Sequence, residues 1–331
     1  MYKFVTMSFT VMGISFALFL FLLKAPTSEV SYRGLEIPHG TGFGEVAEAL
    51  DESGFIRSSF VFKIYGALSG SAHRIQPGNY SISAASSTPD IINLLAEGGR
   101  QAITIRIPEG ATIADIDMLL SAASVLPKNA LKNFSSKSLS NTYEFLSGID
   151  SLEGFLFPDT YKFFPYTETV VIVKKFLDNF EQKVWKELHF AQNGYSLKNK
   201  LTLASLLEKE VPEIWDRRVV AGILEKRIRS GVPLQVDATV IFAKCLGAFM
   251  MCENPRMLRS DTVIESRYNT YIYKGLPPTP IGNPGLTAIK AALTPATSEY
   301  WYYLSDPKTK RTIFSATLDE HNDNRARYLG I

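Results

Sequence analysis

The stretch that decides the fold, residues 201–243, reads LTLASLLEKEVPEIWDRRVVAGILEKRIRSGVPLQVDATVIFA. Its first part carries apolar residues at three- and four-residue spacing: Leu203, Leu206, Leu207 and Val211. That spacing predicts an amphipathic helix, with Glu208 and Glu210 on the two borders of its apolar stripe. A border carboxylate can be partly desolvated, which raises its pKa and suits it to donate a proton. Both glutamates can equally be solvated helix charges, and the spacing does not choose between them.

Two further helices are predicted within the same stretch. Asp216 is interpreted as the N-cap of a basic helix that Gly231 ends, and most of its basic residues are expected to be solvated. Asp237 is interpreted as the N-cap of the helix DATVIFAK. Gln235 would then project from a short extended stretch toward whatever Glu208 faces.

The composition excludes several classes of protein. The chain has 331 residues, 46% of them hydrophobic, so it can bury the core of two or three domains. Its formal charge is +2 and it has no basic run, which argues against a nucleic-acid partner. The sequence contains no phosphate-binding glycine motif, and its four histidines are scattered. We therefore expect no cofactor and no metal.

The N-terminus predicts a membrane anchor. Residues 4–23 are uncharged and strongly apolar, about the length that spans a bilayer as a helix. Bulky residues stand where a signal peptidase would need small ones, so a retained anchor is favoured over a cleaved signal. Residues 1–3 would then form a cytoplasmic stub, residues 24–33 a linker, and the rest would be exported. In an oxidising compartment Cys245 and Cys252 could pair, although two reduced cysteines fit the sequence equally well.

Residues 34–99 form a small unit of their own. Strand, turn and helix patterns in this segment predict the order β-α-α-β-α, with Thr88 as the N-cap of the last helix. The pattern Ile37-Pro38-x-Gly40 is repeated at Ile107-Pro108-x-Gly110. This weak internal repeat suggests two similar strand-turn-helix units.

Two loop regions carry polar groups that could bind a ligand. SLEGFLFPDTYKF, residues 151–163, is expected to be a tight loop with aromatic walls, in which Glu153 and Asp159 either cap the loop or face a ligand. Residues 266–295 contain five prolines, which demands a rigid loop ahead of the helix LTAIKAALTP. Asn269 and Tyr271, in YNTY, stand next to this loop, and YNTY itself can be read as a strand.

Several strings together resemble the endolytic murein transglycosylase, or YceG-like, family. They are LASLLEKE, the segment from RRVVAGILEKR to LQVDATVIF, EGFLFPDTY, the ordered set YNTY, GLPP and PIGNPG, and the closing YWYYLSD with TIFSATLDEHN. The resemblance implies that Glu208, the first glutamate of the EKE run, is the catalytic acid. It also implies that Glu153 lies in the wall of a glycan cleft, and that Gln235, Asn269 and Tyr271 bind substrate. Residues 34–99 resemble a LysM-like subdomain, and residues 100–331 would form the catalytic domain.

The resemblance also implies a reaction and a location. The enzyme would be a lytic transglycosylase that cleaves the bond between N-acetylmuramic acid and N-acetylglucosamine in nascent peptidoglycan. It would leave 1,6-anhydro ends and limit glycan strand length. We expect a single-pass protein of the bacterial inner membrane with its catalytic domain in the periplasm. Its partners would be peptidoglycan glycan strands, with cell-wall synthesis proteins as further candidates.

The expected fold class is α+β, with one transmembrane helix, a small LysM-like domain and a larger catalytic domain. The chain departs from the family at Thr312, where a histidine is common, and at Arg267, which replaces a proline. Two alternatives stay open. One is a peptidoglycan-binding scaffold without activity, and the other is a glycan hydrolase that pairs Glu208 with Glu153 or Asp237.

Overall fold

The computed structural model describes residues 2–28, 32–98, 102–190 and 196–330. Over these residues the chain is a mixed α+β protein, as predicted, with eleven α-helices and three two-stranded sheets. Its contacts divide it into two compact units. The first comprises residues 1–104, 122–127 and 162–169, and the second comprises residues 105–121, 128–161 and 170–331.

The first unit has the element order that the sequence predicts. Its elements are α1 (Tyr2–Leu22), β1 (Tyr32–Ile37), α2 (Phe43–Glu52), α3 (Ser59–Leu68), β2 (Gly78–Ser83) and α4 (Thr88–Glu97). β1 and β2 pair antiparallel, with Tyr32 opposite Ser83. The core is built from α2, α3 and α4 against this sheet, and Tyr80, Phe62 and Leu95 are fully buried in it. Residues 29–31 of the predicted linker and the last residue of the predicted unit, 99, lie outside the described residues. The likeness to a LysM domain stays a prediction.

The N-cap of α4 is Ser87, so the prediction of Thr88 was wrong by one residue. The Ser87 hydroxyl accepts a hydrogen bond from the Asp90 backbone N–H, and the Asp90 carboxylate accepts one from the Ser87 N–H. This capping box needs an acidic residue three positions after the cap, a spacing that only Ser87 has here.

Within the parts of the chain described by the structure, no helix combines the length and the apolar character required to cross a membrane.

The other elements lie further along the chain. They are β3 (Ile103–Arg106), α5 (Ile113–Ala122), β4 (Thr160–Phe163), α6 (Thr169–Phe180), α7 (Leu197–Glu210), α8 (Ile214–Arg229), α9 (Asp237–Lys244), α10 (Leu286–Leu293), β5 (Tyr302–Ser305), β6 (Thr312–Ser315) and α11 (Leu318–Leu329). β3 pairs with β4, and β5 pairs antiparallel with β6. Helix α6 continues past Phe180 as a π-helical segment, Glu181–Lys186.

The centre of the second unit is α7, which packs with α8 against α10. Its apolar stripe is buried as the spacing predicts, with Leu206 and Leu207 fully inaccessible. α8 approaches the following chain so closely that a Cβ on Gly222 would lie 2.0 Å from the carbonyl oxygen of Ala296. Only glycine fits at that position, which fixes the distance between α8 and the segment after α10.

Both predicted aspartate caps in this region were wrong. α8 begins at Ile214 with Glu213 at the cap position, so Asp216 lies inside its first turn. Asp237 is the first residue of α9 rather than its cap, which is Val236. An acidic residue in the first turn still complements the helix dipole. Each aspartate therefore indicated a helix start correctly, although the helix begins before the position that the cap prediction gave.

The segment between α9 and α10 contains no strand among its described residues, and YNTY forms a turn. Cys245, just after α9, is joined to Cys252 by a disulfide bond. Of the two states that the sequence left open, the structure has the oxidised one.

Candidate active site

The last turn of α7 presents two glutamates in different directions. Glu208 and Glu210 are two residues apart, so their side chains leave the helix about 200° from one another. Each glutamate therefore contacts a different set of neighbours. These contacts distinguish the two residues, which the helical spacing does not.

Glu208 is one half of a buried ion pair. One carboxylate oxygen lies 2.7 Å from Nη2 of Arg217, and the other accepts a hydrogen bond of 2.8 Å from the backbone N–H of Gly285. Only 6% of the Glu208 side chain and 7% of the Arg217 side chain are exposed. The guanidinium also bonds Thr287 and the carbonyl of Val211, so the pair joins α7, α8 and the start of α10.

The carboxylate of Glu109 lies beside this ion pair, and the sequence did not predict it there. A Cβ on Gly285 would lie 1.9 Å from Oε1 of Glu109, so Glu109 occupies the space that any other side chain at 285 would need. Burial, and next the charge of Glu208, raise the pKa of Glu109. The signal in the sequence was the repeated Ile-Pro-x-Gly turn, which placed Glu109 next to a glycine without revealing what the turn touches.

Glu210 lies in a very different environment. Its carboxylate accepts a hydrogen bond of 3.3 Å from the hydroxyl of Tyr303 and another from the backbone N–H of Ala238. Burial, and next the negative charge of Asp237, raise the pKa of Glu210 to about 7. As whole residues, Glu208 and Glu210 are both intermediate in exposure, so their partners, and not their exposure, distinguish them. A carboxyl group that titrates near neutral pH is suited to both giving and taking a proton.

Two of the residues predicted to bind substrate, Tyr271 and Gln235, lie close to Asp237, whose charge acts on Glu210. Tyr271 donates a hydrogen bond of 2.5 Å from its hydroxyl to Asp237, and the charge of Glu210 contributes to the raised pKa of Tyr271. Gln235, two residues before Asp237, has an exposed side chain and a left-handed backbone, with φ of +55°. A non-glycine residue in that conformation is strained, and such strain is concentrated at functional sites.

Glu153 lies inside the protein instead of in an open wall. It accepts hydrogen bonds from the backbone N–H of Ile113 and from the amide of Asn283, and only 7% of it is exposed. Burial raises its pKa to about 8. The Asn283 side chain also accepts hydrogen bonds from the N–H groups of Gly154 and Leu156. The strings EGFLF and NPG are therefore joined by one buried network, which gives Glu153 a place in the scaffold.

Asn269 is also fully buried, with both hydrogen-bonding ends of its amide in use. Its nitrogen donates to the carbonyls of Thr262 and Ile264, and its oxygen accepts from the N–H of Tyr271. These bonds shape the turn that carries Tyr271, so Asn269 supports the site from within.

Two buried arginines were missed because the α8 pattern read as a solvated basic face. Arg217 pairs with Glu208, and Arg227 donates to the carbonyls of Leu234 and Trp301. Each has only 6% of its surface exposed. Their partners lie far away in the sequence or on the backbone, so no local pattern announces them.

Within the described residues no group of histidine, cysteine, aspartate and glutamate side chains could hold a metal ion. At the position where the family commonly has histidine, the hydroxyl of Thr312 is buried and has no hydrogen-bond partner in the described part of the chain.

Comparison with known proteins agrees with the motifs. A model of the YceG-like family matches residues 35–327. A Bacillus subtilis (strain 168) protein named endolytic murein transglycosylase is 31% identical over 312 residues, which cover 89% of this chain and 84% of the relative. A Streptococcus pneumoniae (strain R6) protein of the same name is 26% identical, and the match covers 93% of this chain but only 60% of that protein.

A solved structure is similar as well. The crystal structure of a YceG-like protein from Listeria monocytogenes has 29% sequence identity and a TM-score of 0.61, and it covers 89% of this chain and all of that one. The class that these matches define is that of the murein transglycosylases. The chain belongs to the YceG-like family.

Proposed function

We propose that this protein is a lytic transglycosylase that cleaves the bond between N-acetylmuramic acid and N-acetylglucosamine in peptidoglycan strands. Family membership and the names of the relatives support the activity and the polymer. The observation that carries the chemistry is the position of Glu210 at the end of α7, where its carboxylate accepts a hydrogen bond from the Tyr303 hydroxyl, Asp237 and Tyr271 interact with it, and burial and the charge of Asp237 raise its pKa to about 7.

The family resemblance indicated Glu208 as the proton donor. We assign that role to Glu210 instead. A general acid must present an O–H to the glycosidic oxygen at hydrogen-bonding distance. Both oxygens of Glu208 accept hydrogen bonds from the protein, and one of those donors is a buried guanidinium. Glu210 accepts a hydrogen bond of 3.3 Å from the Tyr303 hydroxyl and has no ion pair among the described residues. Glu208 then holds three helices together and leaves the chemistry to its neighbour.

The reaction needs one carboxyl group. Glu210 gives its proton to the glycosidic oxygen as the bond to C1 of the muramic acid breaks. The C6 hydroxyl of the same sugar attacks C1, and its proton passes to the Glu210 carboxylate. The product is a 1,6-anhydro end, no water is consumed, and the acid is regenerated. The attack is intramolecular, so it gains from proximity. In this scheme Gln235 holds a hydroxyl or N-acetyl group.

Product masses test the function. The full-length protein is incubated with uncrosslinked glycan strands, and new ends are identified by mass spectrometry, with Glu210→Gln as the comparison. Anhydro ends, one water lighter than hydrolytic ends and absent with the variant, are expected. Reducing ends would instead favour a hydrolase in which Asp237 is the second carboxylate. Binding without cleavage by the folded wild type would favour a peptidoglycan-binding scaffold.

Membrane attachment through α1 is part of the proposal. Its described large side chains are exposed and apolar, namely Met12, Ile14, Phe16, Leu18, Leu20 and Phe21. Exposed apolar side chains in this number favour burial in lipid. The disulfide fits an oxidising compartment outside the cytoplasm, where strand length would be set during synthesis. In membrane fractionation, the full chain should sediment with membranes and resist extraction by high salt. Release by salt would contradict the anchor.

A further inference from the structure

Lys209, between the two glutamates of the EKE run, has an ammonium group that the protein leaves without an acceptor. Its Nζ lies 4.1 Å from the centroid of the Phe249 ring. A Cβ on Gly110 would lie 3.2 Å from its Cε and 3.3 Å from its Nζ, so the end of the side chain packs against that glycine. Among the described residues, no oxygen accepts a hydrogen bond from this ammonium group and no carboxylate forms an ion pair with it.

The other partly buried lysines that the structure describes in the second unit all donate to oxygens of the protein. Bonds of 2.6 to 2.8 Å run from Lys183 to Asp159, from Lys200 to Glu225, from Lys226 to Ser298 and from Lys244 to Asp261. A polar group that is removed from water normally has such a partner, because an unfilled donor costs free energy. Lys209 is also partly buried, so its N–H groups are available to a ligand.

The charges around Lys209 indicate which kind of ligand it can take. Burial lowers the pKa of Lys209, and the charges of Asp115, Glu208 and Glu153 act against that shift. A negatively charged ligand would add another carboxylate to this group. Neutral oxygens, such as a sugar hydroxyl or the carbonyl of an N-acetyl group, would fill the donors without that repulsion.

The loop of residues 245–252, which the disulfide bond closes, holds Phe249 against Lys209. Within this loop the backbone N–H of Met250 donates a hydrogen bond of 2.9 Å to Oδ1 of Asp115, which is buried. A cation is attracted to the face of an aromatic ring, and its N–H groups on the far side point away from that ring. The loop therefore fixes the ammonium group and leaves part of it accessible.

We propose that Lys209 is a substrate-binding residue whose ammonium group donates hydrogen bonds to neutral oxygens of an amino sugar in the glycan strand, and that Phe249 positions it. The inference rests on the function proposed above for the identity of the polymer. It does not depend on which glutamate gives the proton, because Lys209 is adjacent to both in the sequence. The loop lies outside the strings that resemble the family, so the positioning by Phe249 belongs to this chain.

Calorimetric titration of the full-length protein in detergent tests the contact. The probe is the β-1,4-linked tetramer of N-acetylglucosamine, which has no carboxylate and lacks the bond that the proposed reaction cleaves. Lys209→Met keeps an apolar side chain of similar length without the donors, so we expect a loss of affinity of about tenfold. Lys209→Arg keeps donors and should retain most of the affinity. Lys128→Met, at an exposed lysine of the same unit, is the matched control and should bind as the wild type does.

A second probe distinguishes the two kinds of acceptor. The cellulose tetramer has a hydroxyl wherever the first probe has an N-acetyl group. An equal loss for both tetramers in Lys209→Met assigns a hydroxyl to Lys209, and a loss for the acetylated tetramer alone assigns the N-acetyl carbonyl. With uncrosslinked strands, KM for anhydro-end formation should rise about tenfold in Lys209→Met while kcat changes by less than about threefold.

Phe249→Leu tests the positioning role. It should weaken binding of the acetylated tetramer by about threefold in the wild type, because the ring no longer holds the ammonium group. In the Lys209→Met background it should have no effect, and additive losses would contradict a role through Lys209. Lys209→Leu replaces Lys209→Met should methionine disturb folding.

Wild-type affinity of folded Lys209→Met for both tetramers would overturn the inference. A wild type that binds neither tetramer, or a variant that loses kcat at unchanged KM, would overturn it as well. Failure of the proposed function gives a different result. A wild type that binds the tetramer through Lys209 but forms no anhydro ends would refute the lytic reaction and support the binding contact.

Discussion

Glu208 and Glu210 are two positions apart on one helix, and each has a different set of partners. Glu208 has a guanidinium and a backbone N–H on its two oxygens and is almost completely buried. Glu210 has a hydrogen bond of 3.3 Å from a phenol, and the charge of Asp237 acts on it. The contacts of Glu208 join α7 to α8 and α10, whereas burial and the charge of Asp237 raise the pKa of Glu210. In the function proposed above, Glu208 supports the architecture and Glu210 carries the chemistry.

The largest effect on stability is expected at the ion pair of Glu208 and Arg217. Glu208→Gln leaves Arg217 buried without its counter-charge, which costs about 3–5 kcal/mol of unfolding free energy. The double variant Glu208→Gln/Arg217→Met should recover part of this loss, because the orphaned charge is gone. Denaturant titration measures both.

The exposed pair Lys63–Glu48 provides the control, since Glu48→Gln should change stability by less than about 1 kcal/mol. A loss of similar size at both pairs would contradict the structural role of Glu208.

The raised pKa of Glu153 should make the free energy of unfolding depend on pH. Its folded pKa, about 8, lies above the ordinary value of 4.5, so the folded state holds a proton that the unfolded state releases. That contribution is complete below about pH 4.5 and is lost as the pH rises to about 8, with a slope of up to about 1.4 kcal/mol per pH unit. Glu153→Gln should flatten this slope in urea titrations across the window.

Asp159→Asn is the control of opposite sign. The pKa of Asp159 is lowered to about 2, chiefly by its hydrogen bond with Lys183. Its contribution is present above pH 3.8 and is lost as the pH falls toward 2. If Glu153→Gln left the slope between pH 4.5 and 8 intact, the buried network around Asn283 would need another explanation.

A smaller effect is expected where Glu109 covers Gly285. A methyl group at Gly285 displaces the Glu109 carboxylate, which ends a flexible side chain, so Gly285→Ala should cost about 1 kcal/mol. In the Glu109→Ala background the same change should cost almost nothing. Thermal unfolding of the four proteins gives the coupling directly, and additive losses would mean that the two groups do not compete for space.

The smallest effect concerns Tyr303. Tyr303→Phe removes a hydrogen bond that lowers the pKa of Glu210, so the alkaline limb of activity should move up by a fraction of a pH unit. A shift to lower pH would contradict this expectation and would point to a general disturbance of the site.

The sequence predicted the helices well because their signals are local. The stripe through Leu206 and Leu207, the order of elements from β1 to α4, and the helix after the NPG loop all follow from spacing and turn residues. The errors at Ser87 and Asp237 are shifts of one residue in cap register. At Ser87 and Thr88 two polar residues compete for the cap and the backbone geometry decides between them, whereas Val236, the cap of α9, has no polar side chain to mark it.

The site was less predictable because its residues acquire their roles from distant partners. Glu153 and Asn269 stood out as polar residues in recognisable strings, but the structure uses both in buried hydrogen bonds. The two glutamates of the EKE run look alike until α8 brings Arg217 to one and α9 brings Asp237 to the other. Tyr303 had no local signal beyond an aromatic strand. Motif position thus singled out these residues without showing which partners each of them has in the fold.

The most direct test of the account compares the rates of anhydro-end formation by Glu208→Gln and Glu210→Gln, each normalised to the folded fraction. If Glu210 is the acid, Glu210→Gln should lose about 10²–10⁴-fold in rate at unchanged stability. Glu208→Gln should stay within about tenfold of the wild type per folded molecule, despite its lower stability. The opposite pattern, with folded Glu208→Gln inactive and Glu210→Gln active, would contradict the central claim and return the chemistry to Glu208.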